Sequence, residues 1–528
     1  MPGRCERATG QGAVAVRRIV IVGGGTAGWI VAGVLGSRFP RRGEQGASIT
    51  LIESRQQPPI GVGEGTWPTI RSTLKQIGVS ETDFLRECDA SFKQGSQFVG
   101  WVDGNASDTY WHPFTLPAAY ADLNVAPYWL EEPGQQNFAA SVCFQTELCS
   151  KGLAPKQITT PEYAGHANYA YHLDAGKFVP FLQKHCIERL GVNHVYDEIA
   201  QVECDESGYI TDLVARSGTR LAGDLFVDCS GFASLLIGKH FGVPFVSQKD
   251  VLFVDKAWAV QVPHRDEVAP IASVTVSTAR SSGWVWDIGL ATRRGVGYVY
   301  SSRYSSDEKA LAELQSYLQD SGEPSAQLNF RNIGINSGYR QQYWTHNCVA
   351  VGLSAGFLEP LEASAIVMAE LSAKSIANLL PGSRGAMEHA ARIFNETFRY
   401  RWERIVDFLK LHYVLSRRTD TPFWIDNRRG DSIPDSLREG LEYWRYHSPW
   451  HDDFGHREEV FSAASYQYIL YGMGFRTESA NWLSNDSERQ QALDSMSAAA
   501  KQARALVTML PTNRDLLTRV RRYGLQKI

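Results

Sequence analysis

The stretch Ile19–Trp29, IVIVGGGTAGW, restricts most tightly what this chain can fold into. An apolar run enters the loop Gly23-Gly24-Gly25-Thr26-Ala27-Gly28, and the next apolar run, Ile49-Thr50-Leu51-Ile52, ends in Glu53. That order is strand, glycine turn, helix, strand, acid. The glycines let backbone approach a pyrophosphate at a helix N-terminus, whose unpaired N–H groups and dipole favour negative charge, and the acid is placed to accept hydrogen bonds from an adenosine ribose. Gly23, Gly25, Thr26, Ala27, Gly28 and Glu53 are therefore the candidate nucleotide contacts. A membrane anchor is the competing reading, because residues 19–36 carry no charge and follow Arg17-Arg18. The glycines and the immediate second strand argue against it.

A chain of 528 residues, 43% apolar and 21% charged, can bury a large core, and its length suggests two or three domains or one large domain with an elaborated lobe. The net charge of −4, with no block of lysines or arginines, leaves no basis for sequence-independent attraction to nucleic acid or to an anionic membrane. The partner expected is a small molecule. Eight cysteines are scattered without a CxxC pair, so neither a metal site nor a disulfide framework is indicated, and reduced thiols in the cytoplasm are expected. Residues 1–16 are polar, lack the apolar core of a signal peptide and read as a flexible tail.

Residues 202–231 alternate short strand-like runs with the turn pairs Ser207-Gly208 and Ser217-Gly218, and then Asp224-Leu225-Phe226-Val227-Asp228 returns as a strand into Cys229-Ser230-Gly231. This predicts a meander feeding back into the nucleotide sheet. Residues 251–302 are strand-like and aromatic, with Trp258, Trp284, Trp286, Tyr298 and Tyr300, which predicts a large β platform. Beyond Glu362 the apolar spacing turns helical, first over 363–380 up to Pro381-Gly382 and then over 386–413. The expected organisation is a tail (1–16), an α/β core with an interleaved β-sheet region (17–380) and a mainly helical C-terminal lobe (381–528).

Several separated stretches together resemble the flavin-dependent halogenases, the group that includes the tryptophan halogenases. These are Gly23 to Trp29 (GGGTAGW), Gly61-Val62-Gly63-Glu64, Phe92-Lys93, Asp228 to Phe232 (DCSGF), Trp284-Val285-Trp286-Asp287-Ile288 and Gly352 to Glu362 (GLSAGFLEPLE). The resemblance implies an α/β, FAD-binding Rossmann-like fold of the GR2 flavin monooxygenase type, with a large β-sheet substrate platform and a helical C-terminal lobe. It implies that FADH2, O2 and a halide ion, bromide or chloride, yield hypohalous acid, which travels through a tunnel to an aromatic substrate such as an indole or tryptophan derivative. Asp228, Gly352 and Leu353 join the FAD contacts by the same resemblance, and Trp284 and Trp286 are the pair that keeps substrate from the flavin. On its own, a Trp-x-Trp strand whose even positions pack into the core explains those two residues equally well. Gly289 follows Ile288 where proline is usual in the family, which leaves that backbone less restricted.

The resemblance assigns catalysis to Lys93 and Glu362. Strand alternation across residues 90–101 places Lys93 on one face with Gly95, Val99 and Trp101, an apolar setting that would lower its pKa. Glu362 ends Glu359-Pro360-Leu361-Glu362, and with Pro360 at a first helical position the carboxylate would lie in the first helical turn, where an acid also simply complements the helix dipole. Of the two acids, Glu359 is the weaker candidate. Ser364 and Ala365 match the halide-binding segment, although the family usually carries serine, threonine and glycine after the glutamate. His112 and Phe114 match positions lining the substrate pocket, with a core histidine bonded to backbone as the ordinary alternative for His112. The tryptophan-holding segment of the family does not align convincingly with residues 443–471, so free tryptophan is only one candidate substrate.

Two other readings compete. A flavin-dependent aromatic hydroxylase would share the glycine fingerprint and the Asp228–Gly231 return strand but needs its substrate beside the flavin, which the tryptophan pair and Lys93 oppose. A turnover-deficient flavin-binding protein is raised by the altered halide segment and opposed by intact Lys93 and Glu362. No second dinucleotide fingerprint is present, so reduced flavin is expected from a separate flavin reductase. Both a monomer and a homodimer are compatible with the sequence.

Overall fold

The computed structural model describes residues 15–40, 46–55, 63–105, 107–132, 137–322, 328–455, 459–478 and 485–527. The tail expected over 1–16 lies, up to residue 14, outside the described residues, as do Gly61 and Val62 of the GVGE stretch. A six-stranded sheet forms from Trp344–Thr345, Cys348–Ala350, Leu225–Asp228, Arg18–Val22, Ser48–Glu53 and Asn193–Tyr196 in that spatial order. All pairings in it are parallel except the first. The connection from Val22 runs through the glycine loop into the helix Thr26–Arg38 and back to the parallel strand Ser48–Glu53, the βαβ unit expected of a nucleotide-binding sheet.

The charge-free run 19–36 is thus a buried strand followed by a helix buried from Gly28 to Gly36, lying against the helices Ala175–Leu190 and Ser364–Leu379. A helix covered on all sides needs no polar face, which accounts for the sequence without a membrane. Among the described residues no helix is long and apolar enough to cross one. Gly23 holds φ +111°, and a Cβ there would lie 2.2 Å from the carbonyl oxygen of Cys229; a Cβ on Gly28 would lie 1.9 Å from that of Gly23. These glycines exist because backbone meets backbone. Gly28→Ala is therefore expected to lose on the order of 3 kcal/mol of stability, whereas Gly25→Ala, with nothing within 4 Å of the new methyl, should fold normally. Denaturant midpoints of the two variants check this.

The meander appears as the antiparallel strands Ile199–Cys204, Ile210–Ala215 and Arg220–Ala222, and Leu225–Asp228 then re-enters the six-stranded sheet. The platform is a seven-stranded mixed sheet with order Arg331–Gly334, Lys256–Pro263, Arg293–Tyr300, Gly283–Gly289, Thr275–Arg280, Gly95–Val99, Thr109–Pro113. From Ser364 onward the described residues form helices, among them Ser364–Leu379, Met387–Val414, Asp435–Trp444, Ala463–Gly472, Asp486–Met509 and Asn513–Tyr523. The fold is α/β, with large mixed sheets and a helical C-terminal region. One continuous apolar core runs from Ile19 through Trp284 to Trp402 and Leu517. The seven described cysteines are free thiols, and the described residues contain no cluster of metal-binding side chains.

One expectation fails in detail. Residues 90–101 are not a single alternating strand: Ser91–Lys93 pairs with Ala170–Leu173 in a separate three-stranded sheet, and Gly95–Val99 belongs to the platform. Gln94 marks the crossing, its N–H donating to Ser273 O and its side-chain amide to Leu153 O, and Gly95 takes φ +153° to complete it. Lys93 therefore does not share a face with Val99 and Trp101 by alternation.

Candidate active site

A cavity of about 910 Å³ begins at the glycine loop and reaches Lys93 and Glu362. Its walls include Gly23 to Ala27 and Glu53 from the nucleotide sheet, Trp284 and Trp286 from the platform, and Gly352, Leu353, Ser364 and Ala365 from the segment entering the helical region. The lysine and the glutamate, 269 positions apart in the chain by their numbers, open onto one space.

The nucleotide end is a cradle. A Cβ on Gly24 would lie 1.9 Å from Glu53 Oε2. The other oxygen of Glu53 accepts from His194 Nε2 at 2.8 Å and from Gln183 at 3.3 Å, which fixes the carboxylate, and burial pushes its pKa up to about 7. Gly352, at φ +71°, brings its backbone close to Ala27, where a Cβ would meet the alanine methyl at 2.6 Å. These features suit an extended dinucleotide such as FAD, with its pyrophosphate on the N-terminus of Thr26–Arg38. Gly28 and Asp228 do not reach the cavity wall. Gly28 packs helix against strand, as described above. Asp228 spends both oxygens locally, accepting from the Ser230 amide (3.0 Å) and hydroxyl (2.5 Å) and from the Leu236 and Ile237 amides (2.8 and 2.9 Å). It braces from behind the Cys229–Gly231 segment, which does line the cavity, so its own side chain is engaged with the protein.

Trp284 and Trp286 project from one face of Gly283–Gly289, are 1% and 7% exposed, and meet edge to face with centroids 6.4 Å apart. Trp286 lies over Gly297 of the neighbouring strand, where a Cβ would clash at 2.1 Å. Trp284 donates its Nε1–H to Glu359 at 2.9 Å, and Tyr413 donates to the same carboxylate oxygen at 2.7 Å. Glu359, whose pKa burial raises to about 7, anchors an indole through one oxygen and lines the same cavity as Lys93.

Lys93 is 1% exposed and its ammonium makes no hydrogen bond or ion pair with the described residues. It lies 5.3 Å from the centre of the Phe114 ring, and a Cβ on Gly65 would come within 3.1 Å of Nζ and 3.3 Å of Ala363 Cβ, so the space around it is tight. Burial lowers its pKa to about 8 even though Glu362 works in the opposite direction. An ammonium that no described side chain pairs with, inside a cavity, is placed to meet a ligand.

Glu362 is not in the first helical turn. Pro360 opens a short 3₁₀ turn, Glu362 and Ala363 both take left-handed conformations (φ 60° and 55°), and the α-helix starts at Ser364. Two successive non-glycine residues in that region store backbone strain, which persists only where surroundings enforce it. Here Trp67 Nε1 donates to Glu362 O at 2.7 Å. The side chain meets His112 Nδ1 at 2.8 Å through Oε1, accepts from the Ser96 hydroxyl at 3.4 Å through Oε2, and has His412 Nε2 at 3.6 Å from Oε1. Burial alone would raise its pKa, but the contact with His112 above all, with Lys93 adding to it, outweighs burial and holds the carboxyl below the ordinary range. The helix Ser364–Leu379 has no side-chain cap, so the first-turn amides around Ser364 and Ala365 keep donors for an anion in the cavity wall.

His112 is no backbone-bonded core histidine: it is the nearest partner of Glu362, among the rings of Phe408, Phe461 and Tyr468. Phe114 lies under Lys93. Ser96, Trp67, Tyr110 and His412 were not singled out from the sequence. For His412 one signal existed, since Asp407, Lys410 and His412 put three polar residues on the buried stripe of an amphipathic helix.

The family model described as tryptophan halogenase matches residues 18–488. Tryptophan 6-halogenase SttH of Streptomyces toxytricini is 32% identical over 519 residues, which cover 94% of this chain and 96% of that protein. The crystal structure of a tryptophan halogenase from Shewanella frigidimarina superposes with a TM-score of 0.95 at 46% identity, over 98% of this chain and 99% of that one. BrvH, a flavin-dependent halogenase from Brevundimonas sp., gives a TM-score of 0.82 at 34% identity, over 96% and 99%.

Proposed function

Because the chain belongs to the family of flavin-dependent tryptophan halogenases, we propose that it uses FADH2, O2 and bromide or chloride to halogenate a tryptophan-type or simpler indole. The observation that carries this reading is the convergence of a buried ammonium, Lys93, unpaired among the described residues, and an ionised buried carboxylate, Glu362, on the cavity that begins at the glycine loop. The flavin, when bound, supplies the oxygen-dependent oxidation of halide to hypohalous acid. Gly23, Gly25, Thr26 and Ala27 would hold its pyrophosphate, Glu53 would accept from its ribose, and Gly352 and Leu353 would offer it backbone contacts. Ser364 and Ala365 offer the halide a hydroxyl and main-chain amides. Trp284 and Trp286 keep the arene from the flavin while leaving a path for a triatomic acid.

At the far end the ammonium of Lys93 donates to the oxygen of hypohalous acid and polarises the halogen–oxygen bond. The ring carbon bonds to halogen, the halogen–oxygen bond breaks toward oxygen, and the oxygen leaves as water on taking the ammonium proton. The ring C–H proton passes to Glu362 and from there restores the Lys93 ammonium, so hypohalous acid and arene give halo-arene and one water. His112 and Phe114 stand behind the cavity wall, His112 bonded to Glu362 and Phe114 beneath Lys93, so they support those two groups and reach an arene only where it displaces them. Reduced flavin comes from a separate reductase, and the protein works in the cytoplasm, as a monomer or a homodimer.

The test supplies a flavin reductase, NADH, FAD and bromide or chloride to the protein with tryptophan, indole and substituted indoles, and follows product mass. A mass gain of one halogen for one hydrogen, dependent on halide, is the expected result. A gain of one oxygen would make the protein a hydroxylase, and no consumption of any indole or phenol would favour a flavin-binding protein without turnover. Comparing bromide with chloride settles halide preference, which Ala365, in place of the family's usual residues, leaves open to measurement.

A further inference from the structure

Two imidazoles, His112 and His412, converge on the same oxygen of Glu362, and only one of them is within hydrogen-bond distance. His412 is wholly buried on the long helix Met387–Val414. Its Nδ1 is 2.8 Å from the Tyr110 hydroxyl, while its Nε2 has no hydrogen-bond partner among the described residues and lies 3.6 Å from Glu362 Oε1. Burial lowers its pKa to about 3, so the ring is neutral and carries one proton. If that proton were on Nδ1, the bare lone pair of Nε2 would face a carboxylate inside the protein, an uncompensated repulsion. With the proton on Nε2, the Tyr110 hydroxyl donates to Nδ1, and a dipole points its positive end at Glu362. Tyr110 is itself fixed, stacked on Phe98 with centroids 4.6 Å apart and planes within 6°.

We propose that Tyr110 and His412 form a positioning pair that locks the Nε2–H tautomer of His412 and holds it as a second donor for Glu362, engaged when the carboxylate shifts toward the substrate. A gap of a few tenths of an ångström beyond bonding distance is what a catalytic contact shows before substrate tightens it. The role of Glu362 in this inference rests on the proposed function, but the tautomer lock does not. The groups facing Glu362 are Lys93, His112 and His412, and those facing His412 are Tyr110, His112 and Glu362. Of these, His112 touches Glu362 directly and is expected to be a catalytic-site contact, whereas Tyr110 acts only through His412.

Two measurements test the pair. In protein labelled with ¹⁵N-histidine, the His412 resonances are expected to report the Nε2–H tautomer, and Tyr110→Phe is expected to mix the two tautomers. An Nδ1–H reading in the wild type overturns the inference even if the enzyme halogenates normally. In the halogenation assay, Tyr110→Phe and His412→Leu are expected to lower kcat about tenfold with KM nearly unchanged, and to move the acid limb of the kcat profile up by roughly one pH unit, because Glu362 loses a donor to its charged form. His412→Gln, which restores an N–H donor, should recover part of that shift. A merely structural role would leave the acid limb in place, and a limb that does not move overturns the inference while leaving the halogenase reading intact. Should the wild type halogenate nothing, the proposed function fails, and the NMR reading still decides the tautomer lock.

Discussion

Lys93→Ala is expected to abolish halogenation, a fall of at least about 10³-fold in product formed per reduced flavin, with FAD affinity unchanged. No hydrogen bond or ion pair among the described residues ties the glycine loop to this side chain, whose ammonium lies beside Gly65 and over Phe114. The variant should also remain folded. Moving the pKa of a lysine from 10.5 to about 8 corresponds to a burial cost of roughly 3 kcal/mol at neutral pH, a sum comparable to the packing lost with its methylenes. That cost is present below about pH 8 and fades as pH rises toward the unfolded value, so the wild type should gain stability relative to Lys93→Ala across this window. Arginine is not expected to rescue, because the larger planar group does not fit beside Gly65 and Ala363. Product mass and a fluorescence titration with FAD check the claim, and retained product formation would remove Lys93 from the chemistry.

Much of this arrangement is legible along the chain because it is local. A strand, a glycine turn and a trailing acid are written within thirty-five residues at 19–53, and the alternation of Trp284 and Trp286 needs only a strand to place both on one face. The parts that are not legible depend on distant partners. Alternation over residues 90–101 breaks at Gln94 because its amides are claimed by Leu153, Gln145 and Ser273, none of which is near it in sequence. Pro360 does start a turn, as its ring predisposes it to, but the left-handed pair Glu362–Ala363 after it is not written locally, and the Glu362 carbonyl is held by Trp67, 295 residues away. The family match located Glu362 without its strained backbone or its second imidazole, because Tyr110 and His412 are 302 residues apart. Asp228 shows the reverse case: its motif is where the match puts it, but its four short-range bonds make it a brace for the wall.

Glu362→Gln separates a proton acceptor from a group that merely fills its place, since the amide keeps the shape and a hydrogen bond to His112 but cannot take a proton. A fall in kcat of about 10²- to 10³-fold is expected, with little change in KM. The pH profile carries the sharper signature. In the wild type Glu362 must be ionised, and its pKa is held below the ordinary carboxylate range, so activity is expected to be lost only as pH falls through that depressed value. Lys93 must be protonated, so activity is expected to fall again as pH rises through about 8. The variant should lose the acid limb, because the group that titrates there is gone. Its alkaline limb should remain and move to lower pH, because Glu362 is the charge that raises the pKa of Lys93 against burial. An acid limb that persists in Glu362→Gln would assign it to another group, and an unchanged rate would take Glu362 out of the mechanism altogether.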